Sequence, residues 1–402
     1  MKELADLLIQ KITPLQGVPA EAVYFGIQLV FALLMLMLFV SPFAGIISWV
    51  ERRVAARMMD RVGPNRVGPQ GFLQWLADGI KSLLKEDIIP TDADPILFRM
   101  APYLVFVGMF AAFVVIPFSS GLIISDLNVG IFYILAVTSI VVIGILMSGW
   151  ASNNKYSLLG GMRSAAQIVS YEIPSGLAVL TVILLTGSLS MQDIIKAQGP
   201  HPWQWFIFQN PFMPFMFLSL FISSLAEGNR TPFDIPEAES ELVSGYSTEY
   251  SGMRFVFFYF EEWANIYLIA AIGTTLFLGG WQIPESIKTW AQGVSFVLPH
   301  LLQFLTFFLK AAFIVFTVIW IRWTLPRIRV DQLMTLCWKY LTPLGIFSSL
   351  GVATWMVLFP HGFRAVSYAI CAAAGGLIFY FFYRVAYQVR YSKEPIHINP
   401  FV

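Results

Sequence analysis

Eight carboxylates lie within forty residues of an otherwise apolar chain, in the segment Ala226 to Asn265. Arg230 and Arg254 are the only basic side chains in that segment. Carboxylates held close together raise one another's pKa, because each negative charge disfavours ionisation of the next. Such a group can hold and pass protons near neutral pH. The eight acids are Glu227, Asp234, Glu237, Glu239, Glu241, Glu249, Glu261 and Glu262.

Residues 226–254, called the acidic loop below, contain four of these acids between Asp234 and Glu241. Prolines followed by acids are the order found at a helix start, so the sequence predicts a helix there. On that helix Glu237 and Glu241 share a face, and Asp234 lies one turn before Glu237.

Glu261 and Glu262 follow the loop as adjacent acids. On a helix their side chains point about 100° apart. We therefore expect only one of them to face the interior acids and the other to be an interfacial anchor.

The composition indicates an integral membrane protein, with 57% hydrophobic residues, 12% charged residues and a mean hydropathy of +0.70. The net charge of +1 suggests no nucleic-acid partner. The two cysteines and four histidines have no metal-ligand spacing, and neither a P-loop nor a GxGxxG motif occurs. We expect no metal and no cofactor bound by this chain alone, so redox chemistry would involve a partner.

Apolar segments predict an all-α polytopic membrane protein of about nine transmembrane helices. We expect one membrane domain over residues 1–402, with a first helix (22–50), a loop with an interfacial helix (51–99), a core bundle (100–360) and an extra C-terminal helix (366–387). The first helix exceeds the length needed to span and is expected to be tilted or bent near Pro42. The spans after the first are 100–120, 131–151, 165–187, 212–227, 255–280, 299–321, 340–360 and 366–387.

The distribution of basic residues predicts the topology. With nine spans and the N-terminus outside, the odd-numbered loops and the C-terminal tail hold 19 Lys and Arg residues, and the opposite side holds 5. This asymmetry follows the positive-inside rule. The acidic loop is therefore predicted to face the cytoplasm.

The first cytoplasmic loop is also rich in charge. From Gly71 to Glu86 apolar residues recur at helical spacing opposite polar ones, which predicts an amphipathic helix in the membrane interface. Glu51, Arg52 and Arg61 are the better candidates for lining a cavity. Arg57 and Arg66 are more typical of lipid-headgroup anchors.

Two charges lie within predicted spans. Glu172 precedes Pro174, and a lone membrane carboxylate indicates function; the alternative is a hydrogen bond to backbone freed by the proline. Lys310 could pair with Glu172 or another carboxylate, or could extend its amino group toward the interface.

Four motifs in order resemble the H subunits (subunit 1 in mitochondria) of proton-pumping NADH:quinone oxidoreductase, respiratory complex I. They are ERRVAARMMDRVGPNRVGPQGFLQWLADGIKSLLKE, SAAQIVSYEIP, AEGNRTPFDIPEAESELVSGYSTEYSGM and KAAFIVFTVIWIRWTLPRIRVDQLM, and the resemblance covers residues 25–345. It implies a bundle of eight or nine helices whose first helix, amphipathic helix and acidic loop form the membrane side of a quinone chamber. Gly228 and Val330 depart from the usual Thr and Tyr, and the ninth span occurs in only some members.

The resemblance also implies roles for individual residues. Near the quinone tunnel it places Glu51, Arg52 and Arg61, and near the tunnel entrance it places Asp78 and Lys81 of the amphipathic helix. Under the quinone headgroup it places Asp234, Glu237, Glu239 and Glu241. On the proton path into the membrane it places Glu227, Glu172 and Glu262, so that Glu262 is the selected member of the adjacent pair.

We therefore expect a coupling subunit without its own redox centre. The resemblance implies partners that carry NADH, FMN and iron–sulfur clusters, quinone as substrate, contacts with membrane lipids and the other membrane and peripheral subunits, and a location in the bacterial inner (cytoplasmic) membrane. One alternative is the equivalent subunit of a quinone reductase fed by ferredoxin or deazaflavin. A stand-alone cation transporter is a second alternative, although no inverted repeat is detectable. A structural anchor would leave the clustered acids unexplained.

Overall fold

A computed structural model describes residues 20–295, 298–359 and 364–391, and all regular structure in those ranges is helical. The predicted all-α class is confirmed. The helices are α1 (Ala20–Met35, Leu36–Val40 and Ser41–Met58), α2 (Gln74–Leu83), α3 (Pro95–Ala112), α4 (Gly130–Ala151), α5 (Lys155–Thr186), α6 (Met191–Lys196), α7 (Phe206–Gln209), α8 (Met213–Glu227), α9 (Glu239–Leu242), α10 (Gly252–Phe277), α11 (Glu285–Val294), α12 (Leu298–Thr324), α13 (Val330–Thr335, Leu336–Leu341 and Thr342–Leu358) and α14 (Arg364–Tyr391).

Seven of the described helices are long and apolar enough to cross a membrane: α1, α3, α4, α5, α10, α12 and α13. The other two predicted spans correspond to shorter apolar helices, α8 and the first part of α14, Arg364–Tyr380. At about 1.5 Å per residue, the 15 residues of α8 fall short of a hydrocarbon core of about 30 Å. The chain is a polytopic membrane protein.

Prolines explain the irregular turns of the two segmented helices. α1 has a π-helical turn at Leu36–Val40, just before Pro42, and α13 has one at Leu336–Leu341, just before Pro343. Proline donates no backbone hydrogen bond and its ring clashes with the preceding turn, so a wider turn relieves the clash. The irregularity predicted near Pro42 is thus a π-helical turn within a continuous helix.

The packing centres on α5 and α10. α5 packs against α4, α8 and α13, and α10 packs against α3, α12 and α1. These two helices also carry Glu172, Glu261 and Glu262. Glu261 and Glu262 are buried in the bundle, and Glu172 is half-buried.

Hydrogen bonds gather the odd-numbered loops at one end. The Ile88 N–H donates to Ser251 Oγ (3.2 Å), the Asn154 amide to Glu249 (2.6 Å), and Arg327 to Asp234 (3.0 Å). At the opposite end Gln282 donates to the Ile195 carbonyl (3.0 Å). This grouping agrees with the alternation predicted from the loop charges.

The predicted amphipathic helix is present as α2, preceded by a 3₁₀ turn at Pro69–Gly71. Leu76, Ile80 and Leu83 are exposed along it. An apolar stripe left exposed by the described parts of the chain is what an interfacial helix presents to lipid.

The helix predicted in the acidic loop is mostly wrong. Only Glu239–Leu242 (α9) is helical, so Asp234 and Glu237 precede it in irregular backbone. Glu237 and Glu241 therefore do not share a helix face. Pro236 lies in a backbone that turns into the protein, where Ile235 and Ala238 are buried, and their burial outweighs the local helix signal.

Candidate functional site

A buried arginine lies at the centre of the site. Arg230 is 1% exposed, and its Nη1 lies 3.2 Å from Glu262 Oε1 and 3.6 Å from Glu51 Oε2. Its guanidinium group also lies over the Trp263 ring, 4.6 Å from the centroid. Burial by itself lowers the pKa of Arg230, but the negative charges of Glu262 and then Glu51 raise it above its ordinary value.

Basic residues from other parts of the chain pair with further acids of the site. Arg322, at the end of α12, lies 2.7 Å from Glu51 Oε1. Arg327 pairs with Asp234 (3.0 Å), and Arg163 of α5 pairs with Glu241 (2.7 Å). Arg230 and Arg254 are the only basic residues of the segment 226–265. Arg254 pairs with Asp87 (2.9 Å) rather than with an acid of that segment.

Glu237 is hydrogen-bonded within the acidic loop itself. The Tyr246 hydroxyl donates to Glu237 Oε1 (3.1 Å). Burial, followed by the charge of Asp234, raises the pKa of Glu237 to about 7. Burial and the nearby Glu237 carboxylate also raise the pKa of Tyr246 well above its usual value, so the phenol remains a donor.

Further contacts hold the acidic loop against α5. Gln167 donates to the carbonyls of Ala226 (2.7 Å) and Phe233 (2.8 Å), which brackets the first half of the loop. Gly245 has φ +57° and passes so close to Gly160 that a Cβ on Gly160 would lie 2.7 Å from Gly245 Cα. Glycine at 245 is needed because other residues rarely adopt that backbone.

A cavity of about 610 Å³ opens between α1, α2 and the start of α10. Its volume is that of a small-molecule site, and its walls are mainly apolar with a few polar side chains. Small residues of α1 make the space, including Ala44, Gly45 and Ser48. Trp263 lines this cavity and also contacts Arg230, so it connects the cavity with the buried ion pairs.

The candidates of the first loop separate into two groups. Arg52 and Asp78 form an ion pair of 2.6 Å between α1 and α2, and both line the cavity, as does Lys81. Glu51 lies away from that cavity, in the ion pairs with Arg230 and Arg322. Arg61 is exposed, and its side chain has no hydrogen bond or ion pair within the described ranges.

The remaining loop acids differ in exposure. Glu241 is 60% exposed at its side chain and reaches Arg163 at the surface. The side chain of Glu239 lies outside the described part of the structure.

A second, smaller cavity lies between α4, α5, α8 and α10. It has a volume of about 50 Å³, and Glu172, Glu227 and Glu261 all line it. Ser139 donates to Glu172 Oε1 (3.2 Å). The expectation that Glu261 is an interfacial anchor is wrong, because Glu261 is 5% exposed and Glu262 is 6% exposed. The two adjacent acids face different interior sites.

The backbone carbonyl that Pro174 leaves without a donor is hydrogen-bonded by a side chain other than Glu172. The carbonyl that Pro174 leaves without its usual helical donor is that of Ser170, and the Cys337 thiol donates to it (3.1 Å). The Glu172 carboxylate is therefore not needed for that bond and faces the cavity.

Lys310 pairs with no carboxylate of the described residues. Its amino group donates to the carbonyls of Leu278 (2.7 Å) and Gly280 (3.0 Å) and lies 4.3 Å from the Trp205 ring centroid. Carbonyls at a helix end lack donors from their own helix, and Lys310 supplies them at the end of α10. Of the two alternatives for Lys310, pairing with Glu172 or another carboxylate is therefore wrong for the described residues.

Residues 30–353 match the family model described as NADH dehydrogenase. The chain is 52% identical over 335 residues to the H subunit of NADH-quinone oxidoreductase from Anaeromyxobacter dehalogenans (strain 2CP-C), covering 81% of this chain and 81% of the relative. The chain belongs to the family of H subunits of NADH-quinone oxidoreductase.

Other members of the family are similar over most of their length. The H subunit from Dehalococcoides mccartyi (strain CBDB1) is 47% identical over 365 residues, covering 90% of this chain and 97% of the relative. The one from Chlorobaculum tepidum is 50% identical over 315 residues, covering 76% and 86%. The chain is thus a membrane subunit of complex I, and its partners are the other subunits of that complex.

Proposed function

We propose that this subunit forms the membrane side of a quinone chamber and passes the charge change of quinone reduction to a chain of carboxylates. The observation that carries the proposal is Trp263, which lines the 610 Å³ cavity on α10 and contacts the guanidinium of Arg230. A change of charge in the cavity can reach the buried acids through this contact.

The cavity suits a molecule with a polar ring and an apolar tail. Apolar walls from α1, α2 and α10 can bury the tail, and Arg52, Asp78 and Lys81 offer polar groups at the side of α2. The exposed apolar stripe of α2 would lie in lipid, so the quinone, itself a lipid-soluble substrate, could enter from the membrane.

Quinone takes two electrons and two protons to become quinol. The family resemblance implies that the electrons come from an iron–sulfur cluster of a peripheral partner, fed by NADH through FMN. Loop acids can supply protons or respond to their removal, and Glu237, with its pKa near 7, suits this role. Asp234, Glu239 and Glu241 belong to the same proposed group.

The path into the membrane would run from the ion pairs of Glu51, Arg230 and Glu262 to the cavity lined by Glu227 and Glu172. Loss of a proton from the loop changes the net charge around Arg230. None of the three guanidinium nitrogens of Arg230 has an aligned hydrogen-bond acceptor in the described ranges, so its ion pairs can rearrange without first breaking a hydrogen bond. We place the complex in the bacterial inner membrane and the acidic loop on the cytoplasmic side.

Arg52 and Arg53 provide a matched test in the assembled complex. Arg52 lines the cavity and pairs with Asp78, whereas the neighbouring Arg53 donates to Gln70 and lies over the Trp49 ring. Arg52→Ala should raise the KM for quinone and lower the rate of quinone reduction, while Arg53→Ala changes both much less. NADH oxidation by ferricyanide should stay unchanged in both variants.

Equal quinone kinetics in the Arg52 and Arg53 variants would contradict the assignment of this cavity. A purified complex that reduces quinone with ferredoxin or reduced deazaflavin, and oxidises no NADH, would favour the alternative electron donors. The wild-type complex measured with each donor separates these outcomes.

A further inference from the structure

We propose that Glu261 is a proton-carrying residue that joins the acidic loop to the membrane cavity of Glu172 and Glu227, a role that rests on the function proposed above. The family resemblance selects Glu262 from the adjacent pair and gives Glu261 no role. The geometry gives the two residues separate roles.

The side chains of Glu261 and Glu262 point in different directions from α10. Adjacent residues of a helix point about 100° apart. Glu262 lies 3.2 Å from Arg230 in the ion-pair cluster. Glu261 instead lines the cavity between α4, α5, α8 and α10, opposite Glu172 and Glu227. Two consecutive residues thus connect two sites on different sides of one helix.

The carboxylate of Glu261 has no evident structural role among the described residues. Glu261 is 5% exposed, and within residues 20–295, 298–359 and 364–391 its carboxylate forms no hydrogen bond or ion pair. An unpaired buried carboxylate is costly, and a charged group held in a bundle interior indicates function. Glu227 Oε1, on the same cavity, is likewise buried with no hydrogen-bond partner among those residues.

The cavity that Glu261 lines is large enough to hold water. A water needs roughly 10–15 Å³ of such space and two to four polar partners. The volume of about 50 Å³ is enough for a small chain of waters. The polar lining besides the three carboxylates comes from Thr138, Ser175, Ser224 and Asn265. Waters there can bridge carboxylates that do not touch.

Glu261 also interacts electrostatically with the acidic loop. Glu261 is one of the negative charges that keep the pKa of Glu237 raised, after burial and Asp234. The charges of Glu262 and Arg230 interact electrostatically with Glu261. Glu172 of α5 and Glu227 of α8 line the same cavity as Glu261. The other charged and titratable groups that interact electrostatically with Glu261 are Glu262 on its own helix and Arg230, Glu237 and Tyr246 of the loop.

The transfer balances as a movement of one proton. The O–H bond of protonated Glu261 breaks as a cavity water accepts its proton, and that water releases a proton to the carboxylate of Glu227 or Glu172. The Glu261 carboxylate then takes up one proton from the acidic loop and is neutral again. No electrons move, and the only co-reactant is water.

Three variants of the whole complex test this role. Glu261→Gln keeps the shape but cannot carry a proton, Glu261→Asp keeps the carboxyl, and Glu285→Gln changes an exposed acid on α11 as the control. Removing one positioned acid–base group lowers a rate by about 10²-fold or more, so Glu261→Gln should slow quinone reduction and coupled proton release at least about tenfold. Glu261→Asp should retain more activity and shift the pH profile.

Activity and pumping of Glu261→Gln equal to those of Glu285→Gln would overturn the proposal. So would a Glu261→Asp variant as slow as Glu261→Gln with the wild-type pH profile, since that pattern indicates packing alone. If Glu261→Gln does not assemble, the pH profile of Glu261→Asp decides the question. Slow Arg52→Ala beside a fully active Glu261→Gln rejects only this inference, whereas a fully active Arg52→Ala rejects the function on which it rests.

Discussion

Arg230 Nη1 lies 3.2 Å from Glu262 Oε1 in a site where the two residues are 1% and 6% exposed. A buried pair of this kind is costly to break, because the remaining charge keeps its desolvation penalty without its partner. Glu51 approaches the same guanidinium from α1, so the arginine holds α1 and α10 together at the level of the acidic loop.

Replacing Arg230 should therefore harm the complex more than removing the pair. Arg230→Gln takes the nearest cation from the buried Glu262 and leaves Glu51 with Arg322 alone. The cost of about 3–5 kcal/mol should lower the yield of assembled complex and abolish quinone reduction. The double variant Arg230→Gln/Glu262→Gln should recover assembly, since the carboxylate that lost its nearest cation is gone. Yield on native gels and quinone reductase activity measure the two effects. A double variant no better than the single one would contradict the pairing.

The pH dependence of quinone reduction should depend on Glu237. Its pKa of about 7 lies above the ordinary value for glutamate, so the acid is protonated below about pH 6 and charged above about pH 8. The raised pKa means that the protonated form is favoured in the folded loop, and its stabilisation is lost as pH rises through 7. Glu237→Gln should lower the rate at least about tenfold and remove the limb of the profile near pH 7.

The control for Glu237 is Glu249, which lies in the same loop. The Glu249 carboxylate accepts a hydrogen bond from the Asn154 amide (2.6 Å), and the side-chain oxygen of a glutamine can accept the same hydrogen bond. Glu249→Gln should keep the rate and the limb. If Glu237→Gln retains a limb near pH 7, another group titrates there.

How much of this could be predicted from sequence depends on the range of each interaction. Seven of the nine predicted spans, the grouping of the loops and α2 follow from local apolar periodicity and loop charge, and all three appear in the structure. The other two predicted spans correspond to shorter apolar helices. The ion pairs of Glu51 with Arg322 and of Glu241 with Arg163 join distant segments, so no local spacing predicts them. Local signals predict a helix in the acidic loop, but burial of Ile235 and Ala238 overrides them. Glu261 could be placed only once the cavity between four helices was known.

The width of the larger cavity should depend on a glycine of α1. A Cβ on Gly45 would lie 2.5 Å from two atoms of the Trp75 ring, whereas a Cβ on Gly26 of the same helix would contact nothing within 4 Å. Gly45→Ala should push Trp75 into the cavity or α2 away from α1, and so raise the KM for quinone. Gly26→Ala should leave the KM unchanged. Equal KM values for the two variants would show that Trp75 does not bound the quinone site.

Lys310 should matter for stability rather than for proton transfer. Its amino group satisfies two backbone carbonyls at the end of α10, and leaving buried acceptors unpaired costs about 1–3 kcal/mol. Lys310→Met should lower the thermal stability of the subunit within the complex while the activity per assembled complex stays near wild type. Lys288→Met, at an exposed position of α11, should change neither. Normal stability with lost pumping would instead place Lys310 on a proton path.

Glu172 should be needed for pumping because its carboxylate faces the inner cavity and accepts a hydrogen bond from Ser139 (3.2 Å). Glu172→Gln keeps the size and the hydrogen-bond acceptor but cannot exchange the proton, so coupled proton release and quinone turnover should both fall about tenfold or more. Ser139→Ala removes only the hydrogen bond, typically worth about 1 kcal/mol, and should change the rate much less. Proton release and quinol formation are measured in the same proteoliposomes. Full rate with unchanged protons released per quinol in Glu172→Gln would remove this residue from the path, while the contacts of Glu237 and Arg230 with the loop would remain to be tested separately.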